Sequence, residues 1–142
     1  MENNTFALSR RVERVFFYFV VFVTTAFLFY PPYLPMVDLP QHAAQVATLD
    51  DLLKNRSPWS YLVTLNWDTP YLVGYALWLL LYQFMNIILS GKVLVASTFL
   101  FYTYTVHLLR KEFQASPLLE WAAMTSFFGF AFQWGFITFL LA

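Results

Sequence analysis

Long runs without charge dominate the pattern of hydrophobic and polar positions along the chain. Residues 15–34 carry no charged side chain, and a helix of that length reaches about 30 Å, the thickness of the hydrocarbon core of a bilayer. Further apolar runs occupy residues 71–89, 93–109 and 118–142. The pattern predicts an all-α, multi-pass membrane protein whose first span covers 15–35 and whose later spans cover those three runs.

Residues that interrupt helices set the boundaries between these runs. The prolines between residues 31 and 35 are expected to end the first span, because proline lacks a backbone N–H and clashes with the preceding turn. Residues 90–92, Ser-Gly-Lys, are expected to form the tight turn between the second and third spans. Gly129 and Gly135 interrupt the last run, which is therefore either a continuous fourth span or a broken one.

The one substantial polar segment, residues 36–70, lies between the first two predicted spans. Its stretch QHAAQVATLDDLLKN has apolar residues at helical spacing and polar residues on another face, which predicts a short amphipathic helix at the membrane surface. In that helix Asp50 and Asp51 are expected on a solvated face. An Asp50–Lys54 pair at i,i+4 would contribute only about 0.2–0.5 kcal/mol.

The composition supports a membrane protein. The 142 residues are 60% hydrophobic and 11% charged, whereas ordinary soluble domains carry about 25% charged residues. The formal net charge is zero, so nothing indicates a nucleic-acid partner, and the lipid bilayer is the expected surrounding. The chain has no cysteine, which excludes disulfides, thiolate catalysis and cysteine-ligated metal sites.

The basic residues predict an orientation in the cell (inner) membrane. Arg10, Arg11 and Arg14 place residues 1–14 in the cytoplasm, and residues 36–70 then form an outer loop. In this arrangement Arg110 and Lys111 fall outside, against the positive-inside rule. They would lie inside instead if 71–89 were re-entrant. The chain stops in an apolar run without a polar flank, so we expect it to be part of a longer protein.

Asp38, in PMVDLPQHAA, is the principal candidate for chemistry. Pro40 suits the first helical position, and Leu39 would then occupy the cap, with Asp38 one residue outside it. The carboxylate of Asp38 would be available as a general base or as a ligand to a divalent metal ion. Its alternative role is a favourable contact with the helix dipole.

His42, one turn further on, is a proton-relay partner or second ligand, or else an interfacial histidine held by a nearby carboxylate.

Three other side chains are candidates for substrate contacts. Trp59 and Trp67 lie in an aromatic stretch that is typical of a membrane-interface belt, and the alternative is stacking on a sugar or a prenyl chain. Arg110, at the end of the third predicted span, is a candidate contact for a lipid phosphate.

The order of these segments resembles a known family. A basic N-terminus and one span lead to an outer loop opening VDLPQHAAQVATLDDLL, then to a span beginning TPYLVGYALWLLL, and later to WGFITFLLA. This arrangement resembles the N-terminal module of the GT-C-fold glycosyltransferases and their polytopic relatives. The resemblance implies that the acidic residue of the first outer loop, here Asp38, is catalytic or metal-associated. It also implies a sugar donor carried on polyprenyl phosphate, and further spans that this chain does not contain.

Two functions are therefore expected. In the first, the chain is the N-terminal part of a membrane glycosyltransferase that transfers sugar from a polyprenyl-phosphate donor at the outer face. Asp38 would be its base or metal ligand and His42 the helper, with substrate contacts from Arg110, Trp59 and Trp67. In the second, the chain is a non-catalytic membrane subunit or assembly factor that packs against a larger membrane partner.

Overall fold

Helices form all the regular structure in the described part of the chain. The computed structural model describes residues 2–68 and 72–141, with side chains from residue 11 onward. The helices are α1 (Glu2–Phe27), α2 (Leu39–Leu53), α3 (Leu72–Tyr82), α4 (Ile87–Glu112), α5 (Leu118–Ser126), α6 (Phe130–Trp134) and α7 (Ile137–Leu140). The predicted all-α class is confirmed for these residues, and the predicted amphipathic helix is present as α2. The junction between the predicted outer loop and second span, at residues 69–71, lies outside the described residues.

One described helix, α4, is long and apolar enough to cross a membrane. The multi-pass prediction is not supported at the level of single helices, for three physical reasons. The first half of α1 carries charges, and only about 20 Å of helix follows Arg14. Helix α3 is apolar but has 11 residues, and the predicted fourth span over 118–142 is divided into α5, α6 and α7.

Lys92 holds the start of α4 against the end of α1. Helix α1 ends at Phe27, earlier than the predicted span end at residue 35. The Lys92 ammonium donates to the carbonyl oxygens of Phe29 (3.2 Å) and Pro31 (2.5 Å) and is 9% exposed. Carbonyls just past a helix end have no partner within the helix, and a lysine satisfies them while complementing the helix dipole. The first turns of α4 therefore lie beside the last turns of α1.

The opposite end of α4 lies beside the middle of α1. Arg14 and Phe17 of α1 share one cavity with His107 and Arg110 of α4. Helices α1 and α4 are therefore antiparallel. We call the end that contains Phe29, Pro31 and Lys92 the loop end, and the end that contains Arg14, His107 and Arg110 the N-terminal end.

The last helices return from the N-terminal end to the loop end. Glu120 of α5 is bonded to Arg110 at the N-terminal end. At the loop end the backbone N–H of Val37 donates to Gln133 O (3.0 Å) and that of Asp38 donates to Trp134 O (2.9 Å). The segment 118–134 thus passes along the same length as α1 and α4, with a break between Ser126 and Phe130.

The turn between α3 and α4 corrects the predicted bounds of 71–89 and 93–109. It lies at residues 83–86, where the Asn86 side-chain oxygen accepts from the N–H of Leu89 (2.9 Å) and caps α4. Residues 90–92 belong to α4 and contact other helices. Trp78 is 1% exposed and its Nε1 donates to Ser90 Oγ (2.9 Å), with its ring against Gly91. The predicted turn at residues 90–92 is wrong, because small residues such as Ser90 and Gly91 also permit close helix packing.

This hairpin explains why Arg110 lies at the N-terminal end. Helix α3 starts and ends near the loop end, since it contacts α2 and α4 and is too short to reach the other end. Helix α4 therefore begins at the loop end and runs back toward Arg14. The segment 71–89 therefore stays at the loop end and does not run the length of the molecule, unlike the predicted full-length second span.

Gly91→Ala is expected to destabilise the protein by about 1–2 kcal/mol, because overpacking outweighs the better helix propensity of alanine. A Cβ at this position would lie 2.7 Å from Trp78 Cζ2, and the buried Trp78 ring is held by Ser90. Thermal unfolding of the purified protein, followed by circular dichroism, measures the change.

Gly74→Ala is the matched control. Its Cβ would meet the end of the Leu141 side chain at 3.0 Å, which can rotate away. A neutral or slightly raised stability is expected there. Equal effects of the two substitutions would contradict the packing of Trp78 on Gly91.

Candidate functional site

Asp38 lies at the loop end, where it begins α2. It occupies the N-cap position itself, one residue closer to the helix than predicted, and its side chain makes no cap hydrogen bond. Its backbone (φ −91°, ψ −1°) is helical instead of extended, and an extended cap is what directs the side chain to the first N–H groups. Pro40, two residues on, has no N–H to offer. The predicted position outside the cap is wrong, whereas the expectation that the side chain makes no cap hydrogen bond is confirmed. Asp38 is half-buried.

The backbone after α6 fixes the position of Asp38. Besides the bond from Asp38 N to Trp134 O, Gly135 packs directly on this residue. Gly135 has φ +83°, and a Cβ there would lie 3.0 Å from both Asp38 N and Leu39 N. Only glycine suits this combination of a left-handed backbone and close contact. The interruption recognised in the sequence at Gly135 thus brings the last apolar segment against Asp38.

His42 bonds to Tyr75 of α3. His42 Nδ1 lies 2.7 Å from Tyr75 Oη, and Tyr75 Oη donates to Gln45 Oε1 (2.5 Å). A tyrosine has one hydroxyl proton, so His42 Nδ1 carries the proton of its own bond and donates to Tyr75. The ring nitrogen left for other proton transfers is Nε2. No hydrogen bond joins the side chains of His42 and Asp38 among the described residues, and the predicted direct relay between them is not formed.

Trp67 belongs to the same end of the molecule. It is 59% exposed and lines a groove of about 350 Å³ together with Gln45, Asn66 and Tyr75. Gln45 and Tyr75 are also the partners in the His42 network. Trp59 is equally exposed and is not among the residues that line the groove.

Arg110 lies far from these residues. About 27 Å of helix separates it from Lys92, at 1.5 Å per residue along α4. Its Nε donates to Glu120 Oε1, and His107 Nδ1 is 2.8 Å from the same oxygen. The structure therefore brings Asp38, His42 and Trp67 to one end and places Arg110 in a separate cluster at the other end.

A divalent ion at Asp38 would need ligands beyond this carboxylate. In the part of the chain that the structure describes, no three His, Asp or Glu side chains converge in a way that could hold a metal. Sites for Mg²⁺ commonly use one or two carboxylates and complete the shell with water and substrate phosphates. Asp38 fits such a role as one ligand only.

Asp50 is the residue at the loop end whose role the sequence reasoning missed. It is 3% exposed instead of solvated. Its carboxylate accepts from Lys54 Nζ (2.9 Å), Arg56 Nη2 (2.6 Å) and Gln83 Nε2 (2.9 Å). Gln83 follows α3, so Asp50 joins the ends of α2 and α3. The i,i+4 spacing to Lys54 was visible in the sequence, whereas the contact with Gln83, 33 residues away, had no local signal.

The partners of Asp50 lower the pKa of its carboxyl group. The hydrogen bond from Lys54 is the largest cause, and the Gln83 hydrogen bond and the charges of Lys54 and Arg56 add to it against the opposing effect of burial. A folded-state pKa below the unfolded value stabilises the fold above the unfolded pKa, near pH 4. That stabilisation is lost as the pH falls through the folded pKa.

Asp50→Asn is expected to cost about 1–3 kcal/mol of stability at pH 7, because it removes a buried, charge-assisted hydrogen-bond acceptor. The difference between the two proteins should narrow as the pH falls below about 4. Denaturant unfolding from pH 7 to acid conditions measures it.

Asp51→Asn is the control, since the half-exposed Asp51 pairs only with Arg56 (3.1 Å) among the described residues. It should cost less than about 1 kcal/mol. If the difference in unfolding free energy between the wild-type and Asp50→Asn proteins stayed constant from pH 7 into the acid range, the role assigned to Asp50 would be wrong.

Comparisons with protein-family models, with characterised proteins and with solved structures gave no match to this chain.

Proposed function

We propose that the chain is embedded in a membrane and crosses it three times, through α1, α4 and the broken segment α5–α6. The observation that supports this topology is that all three run between the same two ends of the molecule. Helices α2 and α3 stay at the loop end, on the outer side. A break within the third crossing is tolerated because it packs against protein, as the contact between Phe99 and Phe127 shows (ring centroids 5.2 Å apart).

Exposed apolar side chains on these helices support the embedding. Phe22 of α1 is 69% exposed and Phe101 of α4 is 72% exposed, and both lie within runs of large apolar residues. Contiguous apolar surface of this kind marks contact with lipid or with another protein. The helical part of α1 that lacks charge is short for a bilayer, but Arg14 and Arg11 can extend their charged groups to the interface.

The distribution of basic residues supports a cytoplasmic N-terminus. Because Arg110 lies beside Arg14 and Lys92 lies at the other end, the basic residues divide five to three in favour of the N-terminal end. The five are Arg10, Arg11, Arg14, Arg110 and Lys111, and the three are Lys54, Arg56 and Lys92. With this arrangement Arg110 and Lys111 no longer oppose the positive-inside rule.

Within this topology we propose that the chain is the N-terminal part of a GT-C-like glycosyltransferase that takes its sugar from a polyprenyl-phosphate donor at the outer face. The observation that carries the proposal is the carboxylate of Asp38. Asp38 is half-buried, its carboxylate makes no cap hydrogen bond, and its backbone is held at the outer end of the first apolar helix. A positioned carboxylate of this kind can accept the proton of an acceptor hydroxyl as the sugar is transferred.

The neighbouring residues would assist at the same end. His42 would receive a proton at Nε2, since Nδ1 is committed to Tyr75. Trp67 and the groove beside it would contact the sugar, because an exposed indole offers an apolar face to a pyranose ring. Trp59 stays a candidate for the same contact. Arg110 has no part in this site, because it lies at the cytoplasmic end.

Asp38→Asn is expected to lower sugar transfer by at least about 100-fold, the scale of general base catalysis, while membrane insertion is unchanged. Release of labelled sugar from a polyprenyl-phosphate donor by the intact protein in membranes measures the transfer. Asp51→Asn, also at the loop end, is the control and should keep its activity. Undiminished sugar transfer by the Asp38→Asn protein would contradict the proposal.

A second candidate function is a non-catalytic subunit that packs against a larger membrane partner. An apolar groove of about 520 Å³ between α3, α4 and α7 favours it, with Leu77, Leu80, Phe101 and Leu140 among its lining residues. A wild-type protein that turns over no donor and co-purifies with a larger membrane protein would favour this candidate over the enzyme.

A further inference from the structure

The N-terminal end contains a cavity in which charges of both signs meet. It has a volume of about 360 Å³ and lies between α1, α4 and α5. Its charged lining residues are Glu13, Arg14, Arg110 and Glu120, with His107 beside them. The aromatic part of the lining is Phe17 and Trp121, whose rings meet edge to face at 5.0 Å.

A buried carboxylate organises this cavity. Glu120 is 9% exposed, and both Arg110 Nε and His107 Nδ1 bond to one of its oxygens, Oε1. Both of these bonds use Oε1, and Oε2 of Glu120 has no partner among the described residues. No side-chain N or O atom in the described part of the chain is both buried and unpartnered, so Oε2 is accessible to a ligand. Arg110 uses Nε for Glu120, which leaves its terminal N–H groups for another acceptor.

Helix α1 contributes a second pair of charges at the mouth of the cavity. Glu13 and Arg14 are exposed, and neither forms an ion pair with a side chain that the structure describes. The two arginines and the two glutamates of the cavity cancel in formal charge. A simple anion or a simple cation therefore gains little net attraction, whereas a ligand that carries both charges can pair with both sets.

The chemistry of the lining indicates the kind of zwitterion. A guanidinium binds phosphate through two parallel hydrogen bonds, and Arg14 and Arg110 offer two such groups. An ammonium with three N–H donors can bond directly to carboxylates such as Glu13 and Glu120. The Trp121 ring adds an amphipathic surface of the type that lies at membrane interfaces.

We propose that this cavity binds the headgroup of an aminophospholipid, in which a phosphate is followed by a primary ammonium. The phosphate contacts Arg14 and Arg110, and the ammonium contacts Glu13 and Glu120. The acyl chains then lie along the exposed apolar face of α1 that begins at Phe16. The inference rests on the proposed membrane embedding and on none of the proposed sugar chemistry.

Lipid titration of the delipidated full chain in detergent tests the proposal. Phosphatidylethanolamine, phosphatidylcholine and phosphatidylglycerol with identical acyl chains are added, and the shift of the thermal unfolding midpoint gives an apparent affinity for each. Phosphatidylethanolamine should bind about tenfold more tightly than the other two, the scale of one lost charge-assisted hydrogen bond. Soluble phosphoethanolamine should bind more weakly than the lipid.

Variants at the exposed residues connect any preference to the cavity. Arg14→Ala should weaken the binding of all three lipids about tenfold, because each carries the phosphate, and Glu13→Gln should reduce the phosphatidylethanolamine preference about tenfold. Lys111→Ala, which removes an exposed charge at the same end but outside the lining, should retain it. The unfolding midpoint without lipid verifies that each variant folds.

Several results would overturn the proposal. If phosphatidylglycerol bound as tightly as phosphatidylethanolamine, only the phosphate would be recognised. If phosphatidylcholine bound as tightly, the N–H groups of the ammonium would not be recognised. Equal binding of soluble phosphoethanolamine would indicate a soluble ligand. An unchanged lipid affinity in Arg14→Ala, or an unchanged phosphatidylethanolamine preference in Glu13→Gln, would place the lipid elsewhere. Sugar transfer measured on the same preparations is independent, so a lipid preference without transfer counts against the proposed enzyme alone.

Discussion

The hydrogen bonds from Lys92 to the carbonyls that follow α1 set the arrangement of the other helices. They hold the beginning of α4 at the end of α1, so the two long helices are antiparallel. A buried ammonium is costly unless it is hydrogen-bonded, and here the carbonyl oxygens of Phe29 and Pro31, just past the end of α1, are the acceptors. The contact of Trp78 with Ser90 and Gly91 supports the same junction from α3. Asp38 and Arg110 lie at opposite ends as a consequence.

Each end of the molecule has its own charged cluster. At the loop end Asp50 joins α2 to α3, and the Asp38 side chain makes no cap hydrogen bond. At the N-terminal end Glu120 joins α4 and α5, and Arg14 of α1 lies beside it. The apolar lengths of the helices separate the two clusters. A chemical function at one end and lipid recognition at the other are therefore compatible in one chain of 142 residues.

The sequence predicted the features that depend on local pattern. Helix α2 and the interruption at Gly135 followed from spacing and from glycine geometry. The absence of a cap hydrogen bond from the Asp38 side chain was also expected, although Asp38 occupies the cap position that the proline geometry assigned to Leu39. The turn between α3 and α4 was misplaced because Gly91 serves close packing against Trp78, a contact that no local signal reveals. The contact of Asp50 with Gln83 and the partners of Lys92 and Arg110 lie in other elements or across a turn, so these pairings depend on tertiary structure. The separation of Arg110 from Asp38 was missed for the same reason.

Single-cysteine labelling is the most direct test of the central claim, that α1 and α4 are antiparallel in the membrane with α3 confined to the loop end. The chain has no native cysteine, so a thiol reagent would label only the introduced residue. The two variants are Ser60→Cys at the loop end and Ser116→Cys beyond α4. With a membrane-impermeant maleimide on intact cells, Ser60→Cys should be labelled and Ser116→Cys should be protected until the membrane is opened. Labelling of both positions on intact cells would mean that 71–89 crosses the bilayer and that α3 is not confined to the loop end.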